Sequence, residues 1–125
     1  MPEFRFSKTH EWIAKFDDKY RIGISDYAQS QLGDITFVEF PGVGAKFSKG
    51  DSIATIESVK AVGEYYAPVG IEVIGVNRVV EDQPELLNSD PSGKGYILEV
   101  ALLDESQLAE LMDSTAYEAW DKDGH

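Results

Sequence analysis

The chain has no cysteine among its 125 residues, which excludes a disulfide framework, a thiol nucleophile and any zinc site built on Cys. No apolar run approaches the roughly 20 residues that a membrane-spanning helix needs. The opening Met1-Pro2-Glu3-Phe4-Arg5-Phe6 has no apolar h-region, so no secretory signal is expected. Basic side chains are scarce, with 11 Lys and Arg against 23 Asp and Glu, for a formal net charge of −12. Phosphate backbones and anionic lipid surfaces both demand clustered cations, so neither nucleic acid nor a membrane is an expected partner. A small acidic protein is steered instead toward positively charged protein surfaces, although the same charge also serves solubility.

Histidine is nearly absent too. His10-Glu11 is half of a zinc-protease motif, but Ala14 stands where the second His belongs, and His125 is the terminal residue. Gly42, Gly44 and Gly50 follow no phosphate-binding pattern, and no residue pair is singled out for acid–base work. No catalytic residue and no metal site is expected, and the chain is not read as an enzyme.

What is present is a succession of short strand-like runs. His10–Phe16 and Tyr20–Ile24 flank a turn at Asp17-Asp18-Lys19. Ser25 or Asp26 can cap a helix of about two turns that ends at Gly33. Ile35–Phe40 reads as a strand, Val43–Gly50 as a bend, and Asp51–Tyr66 as strand, turn and strand. Ile71–Val76 and Tyr96–Leu102 are further strands. Between them, Asp82–Asn88 suits one helical turn with Pro84 near its first position, and Asn88–Gly95 is loop by composition. Asp104 should cap a helix over Glu105–Met112 with Leu108, Leu111 and Met112 as its apolar stripe, and Ser114 a last one carrying Tyr117 and Trp120. The tail from Asp121 to His125 is expected to fray. Length and spacing predict one domain over residues 1–125, with its core over about 5–120, built as an all-β barrel or sandwich.

One side chain stands out in this frame. Lys60 lies at the turn of the Asp51–Tyr66 hairpin, between Ser58, Val59 and Ala61, none of them bulky. A lysine there is ordinarily surface decoration that blunts a strand edge. A carrier protein, however, needs its amine at the tip of a rigid, protruding turn that several enzymes can reach. Glu57 and Glu64 are expected to keep its ammonium charged until a partner desolvates it.

Glu57-Ser58-Val59-Lys60-Ala61, preceded by Lys49-Gly50-Asp51, resembles the lipoylation site of the glycine cleavage system H protein family. Ser7–Trp12, Ile22–Gln29, Leu32–Asp34, Phe37–Glu39, Pro84–Leu86 and Asn88–Pro91 match it in order and spacing, so the resemblance spans Arg5 to Trp120. It implies a mainly β, lipoyl-domain-like flattened β-barrel sandwich (a barrel-sandwich hybrid) with short peripheral and C-terminal helices. It implies lipoic acid in amide linkage on Lys60, within the lipoylation motif Glu57, Ser58, Val59 and Ala61. The implied partners are glycine decarboxylase (P protein), aminomethyltransferase (T protein), dihydrolipoyl dehydrogenase (L protein) and a lipoyl or octanoyl transferase or lipoate ligase. The implied role is to shuttle an aminomethyl group from P protein to T protein before reoxidation by the dehydrogenase. Glu11 matches a position where the loaded arm docks. The implied location is the bacterial cytoplasm, or the mitochondrial matrix for a processed eukaryotic form.

Three departures from the family pattern stand in the chain: Gly70-Ile71 after Pro68-Val69, Tyr96 in place of Trp, and Gly63-Glu64-Tyr65-Tyr66 after the lysine. A biotinyl domain would place Met on both sides of the lysine, and a 2-oxoacid dehydrogenase lipoyl domain would show Asp-Lys-Ala. An H-like protein that donates or relays lipoate, and an unmodified interaction domain of the same fold, are the alternatives.

Overall fold

Glu11–Phe16 (β2) and Lys19–Ile24 (β3) pair antiparallel across a two-residue turn, Asp17-Asp18. Asp17 takes φ 58°, a left-handed conformation that a short polar side chain tolerates better than most. Lys19, expected in the turn, opposes Phe16 in the ladder instead. The computed structural model describes residues 3–122 of the chain. Around this hairpin, Phe4–Phe6 (β1), Ile35–Glu39 (β4), Lys46–Phe47 (β5), Ser52–Ser58 (β6), Val62–Tyr66 (β7), Ile71–Val76 (β8), Leu98–Leu102 (β9) and Met112–Asp113 (β10) form two sheets. The larger has the order β10-β1-β2-β3-β9-β8-β5, the smaller β4-β6-β7, and every neighbouring pair is antiparallel. The mainly β sandwich is as expected, with both sheets open at their edges rather than closed into a barrel.

The core lies between the sheets. Ile13, Ile22, Ile71, Val73, Leu98 and Val100 from the larger meet Ile35, Val38, Ile56 and Tyr65 from the smaller. The imperfect alternation of β2 is explained by burial on both faces. Ile13 points into the sandwich, while Trp12, also 0% exposed, packs on Phe4 and donates from Nε1 to Pro91 O at 3.1 Å.

The helices are Asp26–Leu32 (α1), Arg78–Asp82 (α2), Leu86–Ser89 (α3) and Ser114–Lys122 (α4). None among the described residues is long and apolar enough to cross a membrane. For α1, Ser25 is the N-cap and its Oγ accepts from Ala28 N at 3.1 Å. The helical turn expected over Asp82–Asn88 is displaced. Asp82 closes α2, Pro84 precedes the cap residue Glu85, and α3 runs to Ser89. The expected helix over Glu105–Met112 is a 3-10 helix that stops at Glu110. Asp104 caps it as expected, but Met112 is drawn into β10 opposite Phe6, so the chain must extend before a second α-turn can form. Asp113, rather than Ser114, caps α4 by accepting from Ala116 N at 2.8 Å. Asp121 and Lys122, expected in the fraying tail, complete α4, and residues 123–125 lie outside those described.

Two of the family departures are accommodated locally. Gly70 N donates to Gln107 Oε1 at 2.6 Å, its carbonyl accepts from Leu103 N at 3.0 Å, and Ile71 pairs with both Leu102 and Phe47. The strand register is therefore defined through that turn. Tyr96 lies 4.3 Å from the Arg21 guanidinium, a cation–π contact that a phenol ring can also make.

Candidate functional site

The β6–β7 hairpin belongs to the smaller sheet and ends in Val59, Lys60 and Ala61, all exposed. Ser58 organises the tip. Its amide donates to Ala61 O at 2.8 Å, and its Oγ accepts from Ala61 N at 3.1 Å and Lys60 N at 3.4 Å. Val59 N donates to Asp34 O at 3.0 Å, which ties the turn to the junction of α1 and β4. The turn is thus held by backbone groups and one hydroxyl, and among the described residues the lysine side chain makes no hydrogen bond.

Gly33 sits beneath that side chain. It ends α1 at φ 79°, and a Cβ there would lie 3.1 Å from Lys60 Cε and 3.6 Å from Cδ. The lysine stem therefore rests on bare backbone. Gly63 on β7 serves the same purpose for the helix, since a Cβ there would meet Leu32 Cδ2 at 3.1 Å. The last turn of α1 and the hairpin approach each other across two missing side chains. Glu57 and Glu64 were expected beside the ammonium. Among the described residues no carboxylate lies within 4.0 Å of it, and Glu64 accepts from the Ser52 hydroxyl instead.

A cleft of about 210 Å³ opens where α1 faces the hairpin. Thr9, His10 and Glu11 form one wall, Tyr27, Ala28, Gln31 and Leu32 a second, and Ile56, Gly63, Glu64 and Tyr65 a third. Leu32 and Gly63 connect it to the shelf under Lys60. Glu11 is 3% exposed, and its Oε1 accepts from Ser7 Oγ at 2.5 Å and from Thr9 Oγ1. Its Oε2 accepts from Tyr66 N at 3.4 Å. Burial pushes the Glu11 carboxyl up, against the pull of those donors. Burial, then the nearby Glu11 charge, holds the Tyr65 phenol well above its ordinary value, and its hydroxyl donates to Gly23 O at 2.9 Å.

The site thus has an exposed amine, a bare shelf for its stem and an apolar cleft with a buried carboxyl. A residue-bound arm with an apolar body fits that donor set. Residues 4–124 match the family model described as glycine cleavage H-protein. This chain belongs to that family. A glycine cleavage system H protein of Shigella dysenteriae is 50% identical over 118 residues, covering 94% of this chain and 92% of the relative. One of Escherichia coli is 49% identical over the same shares. A crystal structure of a glycine cleavage system H protein from Mycobacterium marinum superposes with a TM-score of 0.86 at 30% identity, covering 95% of this chain and 96% of that one. Membership makes the protein a carrier component of glycine cleavage rather than a catalyst.

Among the residues named from sequence, Glu57 to Ala61 form one hairpin tip, and Glu11 lies in the adjoining cleft. Sequence reasoning missed the shelf at Gly33 and the hydroxyls of Ser7 and Thr9. The sequence pattern marks Gly33 only as a helix terminator, a role its positive φ also fulfils.

The raised Glu11 carboxyl has a consequence for stability. The folded state keeps this proton to higher pH than the unfolded chain, so stability falls as pH rises from the ordinary value of 4.5 through the folded value. Glu11→Gln removes that loss. Its carbonyl can accept from Tyr66 N while its amide donates to the Ser7 and Thr9 hydroxyls. The variant is expected to gain in Tm over the wild type as pH rises above 4.5, with a plateau above the folded value. Thermal unfolding from acid to neutral pH checks this, and a gap that widened on acidification would contradict it.

Proposed function

We propose that this protein carries lipoic acid in amide linkage on Lys60 and shuttles an aminomethyl group between the enzymes of glycine cleavage. In this reading it receives the group with glycine decarboxylase, yields it to aminomethyltransferase and is reoxidised by dihydrolipoyl dehydrogenase, in the bacterial cytoplasm. A lipoyl or octanoyl transferase or a lipoate ligase installs the cofactor. The observation that carries the reading is the Lys60 stem laid across Gly33 at a tip whose flanking side chains are all small or exposed.

The lipoyl group, once attached, supplies a reducible dithiolane on a long flexible tether. The chain's own residues do the rest. Ser58 keeps the hairpin tip in one conformation by filling the turn with its hydroxyl. Gly33, under the Lys60 stem, and Leu32, at the cleft, would give such a tether a surface without bulk to lie on. Ile24, Ala28, Ile56 and the Tyr65 ring exclude water there, and Glu11 offers an anion to a cationic load. A carboxylate desolvated in this way attracts an ammonium far more strongly than one in water.

The test uses purified glycine decarboxylase and carboxyl-labelled glycine. Lipoylated protein is expected to support release of labelled CO2, and unmodified protein to leave it at background. Equal rates from the two forms would reject the carrier role.

A further inference from the structure

Two walls of the cleft come from segments that do not continue into each other. One is the β1–β2 loop with Thr9 and His10 running into Glu11 at the start of β2, and the other is α1 with Tyr27, Ala28, Gln31 and Leu32. They meet at the end of the β2–β3 ladder, where Glu11 opposes Ile24, and a second tie lies behind the cleft. The Tyr117 hydroxyl on α4 donates to Ser25 Oγ at 2.9 Å and lies 2.5 Å from His10 Nδ1. Ser25 is the N-cap of α1, and its amide donates to His10 O at 3.0 Å. Tyr117 is 6% exposed, stands outside the cleft lining, and is fixed by its ring stacked on Phe6 at 4.3 Å and 10°.

His10 makes the junction sensitive. It holds φ 69°, which non-glycine residues rarely adopt and which persists only where the surroundings over-determine it. Those surroundings include the ring of Tyr27 at 4.4 Å, the ring of Trp120 at 5.2 Å and the Tyr117 hydroxyl. A change of conformation at His10 moves Thr9 and Glu11 on one wall, and a shift of Ser25 moves the start of the helix whose far end carries Gly33 and the Lys60 stem.

We propose that the C-terminal helix sets the width of the cleft beside Lys60, with Tyr117 as the positioning residue that ties the Glu11 loop to α1. The functional meaning of the cleft rests on the carrier reading above, but the tie itself is a property of the unmodified chain.

The experiment is hydrogen exchange on unmodified protein, comparing wild type with Tyr117→Phe, which keeps the stacked ring and removes one hydroxyl. Amides of residues 7–11 and 25–32 are expected to exchange about tenfold faster in the variant, the loss that one buried hydrogen bond corresponds to. Amides of β6, β7 and β9 should keep their wild-type rates. Unchanged exchange in both cleft segments, loss in one alone, or an equal acceleration throughout the chain would each overturn the proposal. Ser25→Ala reaches the same bond from the other side, and it should loosen residues 7–11 as well as α1. Failure of the tie would leave lipoylation of Lys60 intact, whereas failure of lipoylation would leave the exchange pattern as stated.

Discussion

Incubation with a lipoate ligase, lipoic acid and ATP is expected to add the mass of one lipoyl group to the wild-type chain and none to Lys60→Arg. The effect is all-or-none because it depends on a nucleophilic amine. Arginine keeps the positive charge and most of the stem, but its guanidinium stays protonated at any working pH and cannot be acylated. Lys60 is exposed at a turn held by Ser58 and the backbone, so the substitution should change stability by no more than about 0.5 kcal/mol. Loss of modification then reports the chemistry of the side chain and not loss of the fold. Lys49 and Lys15 provide internal controls. Lys49 is paired with Glu110, and Lys15 lies 5.8 Å from the centre of the Tyr20 ring. Neither stands on a two-strand tip that an enzyme can enclose. An equal mass gain in Lys60→Arg would assign the lipoyl group to another residue and end the carrier reading of this hairpin.

The proposed attachment motif could be named from the sequence because its residues are consecutive. Glu57 to Ala61 run from the end of β6 through the turn, and no tertiary contact is needed to bring them together. The cleft was not legible, since its lining comes from the β1–β2 loop, β2, β3, α1, β6 and β7, and only the folded sandwich assembles them. Glu11 entered through family resemblance, whereas the hydroxyls that orient it did not. Strands β1 and β10 escaped because three and two residues are too few to show a period of two. The α2 helix escaped for another reason. Val79 and Val80 are β-branched, and only the burial of Val80 against the core makes a helical turn worthwhile there. The elements that carried caps were easier. Ser25 and Gly33 bracket α1 as their side-chain chemistry demands, and Asp104 caps its short helix even though the helix type differs.

The second large effect lies away from the lysine. Trp12→Ala is expected to destabilise the fold by about 3–5 kcal/mol, a fall in Tm of roughly 10–20 °C, measured by thermal unfolding. The indole is fully buried on the outer face of the larger sheet, with Phe4 at 4.9 Å and Pro91 O as the acceptor for its Nε1. Gly23 opposes it across the strand pair, and a Cβ there would lie 2.7 Å from Cζ2 of the ring. The large residue and the absent one occupy a single volume. Gly23→Ala alone should therefore cost about 1–3 kcal/mol by overpacking. In a Trp12→Ala background the same substitution should cost much less, because its methyl enters the space that the indole leaves. The two changes must then be non-additive, as neighbours sharing a cavity are. Simple additivity would mean that the strands separate to absorb the methyl. Lipoylation separates this face from the other: the hairpin belongs to the smaller sheet, so Trp12→Ala, held well below its lowered Tm, should still accept the lipoyl group on Lys60.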